Sequence, residues 1–156
     1  MNSSAPPADP ARVIILAPTD PARPQPSDWP ADPEADSSES EVLAAYQAHL
    51  ARSGHVVQRH RVLFRDPMPS TDLFDATANE LVMALHRTFY RSRIRALGVL
   101  LDCAKSFPGS SNVLLLTTRP GPPVLAFLAW HNITAVWPAG ETFERSTPRS
   151  AEPDQP

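Results

Sequence analysis

The 156-residue chain is short of the residues that staple or pivot a fold: it has one cysteine, Cys103, five glycines, a single lysine and only 7% aromatic residues. A lone cysteine excludes an internal disulfide framework and any cysteine-based zinc site. The glycines Gly54, Gly98, Gly109, Gly121 and Gly140 are scattered and never pair as G-x-G, so no glycine-rich phosphate loop is present. No G-x-S-x-G elbow occurs either. The histidines His49, His55, His60, His86 and His131 never fall at H-x-x-x-H or H-E-x-x-H spacing. On these grounds no catalytic residue, metal ligand or cofactor is assigned. Long apolar runs are missing too, and none approaches the length of a membrane span. The opening MNSSAPPADPAR is polar and lacks the basic-then-apolar order of a signal peptide. The expectation is a cytoplasmic protein without membrane contact.

Proline and acid, by contrast, are abundant at the ends. Of 19 prolines, nine fall in residues 1–38 and four in residues 138–156. Residues 1–41 hold two Arg against eight acids, residues 42–137 ten basic residues against five acids, and the remainder two against four. The middle is therefore mildly basic between acidic ends, which admits a polyanion as partner without requiring one. The composition predicts a disordered arm over 1–11, one α/β domain over 12–140 interrupted by a long proline-rich loop at 18–37, and a disordered tail over 141–156. Trp29 is the large apolar residue of that loop and could pin it over the domain as a lid.

The stretch from Asn112 to Trp137 organises the domain. Val113–Leu116 and Ile133–Trp137 are continuous apolar runs, the pattern of strands buried on both faces. Between them Pro122 and Pro123 can open a helix, since a first-turn proline gives up an N–H that had no partner. That helix is apolar all round, which predicts burial. Two strands joined by a helix make a right-handed βαβ unit. Arg12–Ala17 reads as a first strand in the middle of the sheet. Ser38 to Glu41 fits a capping box ahead of a helix with Val42, Ala45, Tyr46, His49 and Leu50 at helical spacing, ended by Gly54. His55–Phe64 has polar residues on both faces and reads as an edge strand. Ser70 or Thr71 opens a long helix with Phe74, Thr77, Leu81, Leu85 and Phe89 as its stripe; Arg87, Arg91, Arg93 and Arg95 gather at its end, where they complement the dipole. Residues 96–107 are read as a further helix. The sum is a small three-layer α/β/α domain with about four mostly parallel strands.

In a doubly wound sheet a ligand lies off the carboxyl ends of the strands. Those ends nominate Thr19 and Asp20 after the first strand, Asp66 after the second, and Thr117, Thr118 and Arg119 after the third. Arg119 near a helix start suits an anion, although Pro120, Pro122 and Pro123 remove three N–H donors such a site uses. A second cluster, Arg59, Arg61, Arg87, Arg91, Arg93 and Arg95, would serve a nucleic-acid backbone if its two elements lie side by side.

RVIILAPTD, then EVLAAYQAHLARSGHVVQRHRVLFRD, then NVLLLTTR resemble in order the opening strand, helix, second strand and third strand of the N-terminal catalytic domain of serine recombinases, the resolvase and invertase group. That family attacks a phosphodiester with a serine preceded by an arginine; Ala17, Pro18 and Thr19 stand in that region here. The resemblance therefore implies a catalytically dead, recombinase-like domain acting through partner or DNA contacts. The sequence as a whole points to a non-enzymatic binding or regulatory module with a protein partner or a second copy of itself. The alternative is a nucleotide- or small-molecule-binding enzyme using the rim around Thr19 and Arg119.

Overall fold

The computed structural model of the protein describes residues 12–18, 37–63, 72–85 and 90–147, with side chains over 38–58, 72–85 and 93–147. The expected arm, loop, Trp29 lid and outer tail lie outside the described residues. Seven strands and three helices follow in order: β1 (Arg12–Pro18), α1 (Ser37–Arg52), β2 (Val57–Leu63), β3 (Leu73–Asp75), β4 (Glu80–Leu85), α2 (Tyr90–Ala104), β5 (Ser111–Leu116), α3 (Pro122–Trp130), β6 (Ile133–Ala139) and β7 (Thr142–Arg145). The strands stand in the sheet in sequence order. β4, β5 and β6 run parallel, and every other neighbouring pair is antiparallel.

The continuous apolar runs are buried on both faces, as their composition predicts. In β5, Leu114 and Leu116 face a cluster made with Leu97, Leu100 and Cys103 of α2 and Leu128 of α3. Val113 and Leu115 face the opposite cluster, with Val42, Tyr46 and Leu50 of α1. Alternation along a strand thus divides one run between two cores. α1 covers one face, and α2 and α3 cover the other.

Several expectations are corrected. The sheet has seven strands, not about four, and is mixed. The helix expected from residue 70 is instead a hairpin of β3 and β4. Phe74, Thr77, Leu81 and Leu85 happen to fit a helical period, but Leu81 and Leu85 face α2 while Val82 faces α1. The break between them is built by Asp75, whose Oδ1 accepts the N–H groups of Thr77 (2.9 Å) and Ala78 (3.1 Å), and by Asn79 at φ 56°, a left-handed conformation asparagine tolerates.

β1 lies at the outer edge, antiparallel to β2, and not in the middle of a parallel sheet. β3 pairs with β2 only at Val57 and Gln58, so residues 59–63 of β2 have β1 on one side and no described strand on the other. The polar residues that suggested an edge belong to this two-stranded ribbon. α2 starts at Tyr90, which puts Arg91, Arg93 and Arg95 in its first turns, where positive charge opposes the dipole, and not at the end of a preceding helix.

α3 begins at Pro122 as expected, yet only its Leu128 is fully buried and Trp130 is 76% exposed. One side of this helix meets the sheet, and no described element lies over the other. Beyond residue 140 the folded part continues: Gly140 at φ 66° and Glu141 turn β6 into β7, which Phe143 pins by an edge contact with Tyr46 at 4.9 Å.

Candidate functional site

α1 packs over β2, β4 and β5 and meets the β6–β7 hairpin at Phe143, leaving space beside that contact. The space left is a groove of ≈ 570 Å³ along α1. Its wall is the helical stripe Glu41, Ala45, Ala48 and Arg52, at spacings of four, three and four residues that align along one side of a helix. Small alanines at the centre of the stripe keep it open. Pro138 and Phe143 supply an apolar floor, and Thr117 with Gly140 closes the end at the carboxyl edge of β5 and β6. Glu41 and Glu141 make that end acidic. Arg52, at the last turn of α1, makes the other end basic. Among the described residues β7 borders the groove as an edge strand, paired with β6 alone.

Beneath α1 the sheet carries a buried polar group. Arg145 of β7 donates to Glu80 Oε1 on β4, and among the described residues Glu80 Oε2 has no hydrogen-bond partner. Tyr46, 2% exposed, sits close enough to feel both charges. Burial pushes its phenol up to about 12; Arg145 pulls it back in part, while Glu80 and Asp75 push it further up. Burial lowers the guanidinium of Arg145, but the hydrogen bond and charge of Glu80 outweigh that and raise it above its ordinary value.

At the amino edge of β2, His55 Nδ1 lies 2.5 Å from Asp75 Oδ2. A histidine held by a carboxylate is half of a hydrolytic triad. The described thiol, Cys103, is buried in the core on the opposite face of the sheet, so it cannot complete one. Asp75 is instead the keystone of the β3–β4 turn. Asp72 is likewise structural: its Oδ2 accepts the N–H of Ala84 at 2.7 Å, where the strand presents Met83 and Leu85 to the α2 side. Among the described residues no three His, Cys, Asp or Glu side chains converge as metal ligands.

The predicted rim is described only in part. β1 runs antiparallel to β2 and ends at Pro18, paired with Gln58 near the start of β2, whereas β5 ends at the opposite edge of the sheet and four strands away. Thr19, Asp20 and Asp66 lie outside the described residues. Thr117 lines the groove, Thr118 is exposed, and Arg119 reaches to the other face, its guanidinium 5.9 Å from the centre of the Trp137 ring. Of the basic cluster, Arg87 and the side chains of Arg59, Arg61 and Arg91 lie outside the described set. Arg93 stacks on Phe127 at 5.3 Å, and Arg95 is exposed on α2. β2 lies two strands from β4, on which α2 packs, so the two sets of arginines sit on separate elements.

The groove residues Glu41, Ala45, Ala48 and Arg52 escaped sequence reasoning. Their period is visible in the chain, but alanines at that spacing read as ordinary helix. No known protein family, no curated protein and no solved structure matches this chain.

Proposed function

We propose that the chain is a non-enzymatic binding module, a small three-layer α/β/α domain that takes up an extended segment of another polypeptide along β7. The observation that carries this reading is a strand edge that no other described strand pairs, bordering an apolar-floored groove with acids at one end and an arginine at the other. A free edge offers unpaired N–H and C=O groups to an incoming strand, and addition to such an edge is a recurrent mode of peptide recognition. From Glu41 to Arg52 α1 rises about 16 Å, which an extended chain covers in about five residues. Alternate side chains of that segment face α1. Antiparallel pairing, the more stable arrangement, runs it from the Arg52 end to the Glu41 end. The matching segment therefore carries an acidic, then an apolar, then a basic residue at alternate positions. We assign the protein to the cytoplasm, where the buried free thiol of Cys103 suits a reducing compartment. Among the described residues no helix is long and apolar enough to cross a membrane.

Fluorescence anisotropy with a labelled peptide bearing Glu, Phe and Arg at alternate positions tests the reading. Saturable binding is expected, weakened about tenfold by Arg52→Glu and recovered with a peptide whose Glu is replaced by Lys. Equal binding of a scrambled peptide would sink it.

A second reading, contact with a nucleic-acid backbone, is favoured by the place of Arg95, exposed near the head of α2, where positive charge opposes the helix dipole.

A further inference from the structure

We propose that two copies of this chain associate through α2, the helices crossing antiparallel about a two-fold axis at Gly98. The inner side of α2 is spent on the sheet, with Ala96, Leu97, Leu100 and Cys103 buried. Its outer line, Ile94, Gly98 and Leu101, follows i, i+4, i+7 spacing. Ile94 is 45% and Leu101 46% exposed, two of the four large apolar side chains left in water among the described residues.

Gly98 has no internal reason to be glycine. Its φ is not positive, and a Cβ built on it meets nothing within 4 Å. Glycine is the poorest helix former apart from proline, and a bare backbone on an outer helix face lets a second helix approach closely.

The residues around Gly98 say which second helix. Ile94 precedes it by four positions and Leu101 follows by three, so an antiparallel two-fold at Gly98 sets Ile94 of each copy against Leu101 of its partner. The same operation brings Arg95, three before, to Asp102, four after. A parallel pairing would instead stack the arginine-rich head of one α2 on that of the other. Asp102 already meets Lys105 at 2.8 Å on the surface, a pair weak enough to be shared. Antiparallel helices also oppose their dipoles. One surface patch thus complements itself, as a closed two-fold requires. The inference is independent of the peptide groove, which lies on the other face of the sheet. Dimerisation leaves both grooves open and makes the module bivalent.

The test uses the full chain. Sedimentation equilibrium at about 100 µM should give a dimer, and Leu101→Glu should give a folded monomer with an unchanged circular dichroism spectrum that still binds the groove peptide. Under mild oxidation Gly98→Cys should form a covalent dimer, since a two-fold at that residue brings the thiols within disulfide reach. Ser53→Cys, exposed beyond the end of α1, should not. A monomeric wild-type chain at that concentration, a dimer that survives both Ile94→Glu and Leu101→Glu, or cross-linking at residue 53 as readily as at 98, would each overturn the proposal.

Discussion

Arg145 on β7 reaches across the two strands between them to bind Glu80 on β4. The pair ties β7 to β4, the first of the three parallel strands, and it does so under α1, where Glu80 keeps only 11% of its side-chain surface in solvent. Replacing Arg145 by Met leaves a buried carboxylate without its cation. We expect a loss of about 1–3 kcal/mol, below the full cost for a wholly buried pair because the Arg145 side chain is 42% exposed. Glu80→Gln with Arg145→Met should recover part of it, since no uncompensated charge remains. Urea unfolding of the two single variants and the double closes the cycle; additive losses would mean that the pair contributes nothing as a pair.

Tyr46 gives the pH dependence. Its folded-state pKa, about 12, stands above the ordinary 10.0 because burial disfavours the phenolate. Between those values the unfolded chain releases the proton and the folded chain keeps it, so the unfolded state binds fewer protons and stability falls as pH rises. The contribution is fully present below about pH 10 and shrinks through the interval, by about 2–3 kcal/mol at its upper end. Urea midpoints measured from about pH 8 to about 11.5 should drop more steeply for the wild-type chain than for Tyr46→Phe. Parallel curves would show that this phenol is not the group responsible.

How much of this could be read in the chain follows from how local each feature is. Val113–Leu116 and Ile133–Trp137 announce buried strands by composition alone, and Val42, Tyr46 and Leu50 announce the buried side of α1 by period. Pro122 opens α3 by its missing N–H. The β3–β4 hairpin was hidden because Phe74, Leu81 and Leu85 also fit a helical period, and what decides against the helix is the Asp75 carboxylate capping a turn. β7 was hidden because TFER has little apolar content; Phe143 and Arg145 earn their positions from Tyr46 and Glu80, which are far away in sequence. The direction of β1 is set by its pairing with β2. No local pattern encodes it.

Asp75 should therefore behave as a structural carboxylate. Its two oxygens accept the N–H groups of Thr77 and Ala78 and contact His55 Nδ1. Asp75→Ala removes all three contacts and should cost about 2–3 kcal/mol. Asp75→Asn keeps an oxygen for the turn and should cost less than half as much. Thermal unfolding compares them, with His55→Ala isolating the third contact. If Asp75→Asn is as damaging as Asp75→Ala, the carboxylate matters for its charge and not for the turn.

The arginines at the head of α2 separate into two tasks. Arg93 stacks on Phe127 with its Nε buried, which fixes α3 to α2, whereas Arg95 stands in solvent. In the nucleic-acid reading a labelled duplex should bind weakly and lose affinity steeply between about 50 and about 200 mM salt. Arg95→Gln should then lower the slope by about one phosphate contact. Arg93→Gln should instead cost about 1 kcal/mol of stability through the lost stacking with little effect on the slope. No binding at the lower salt would remove the nucleic-acid reading.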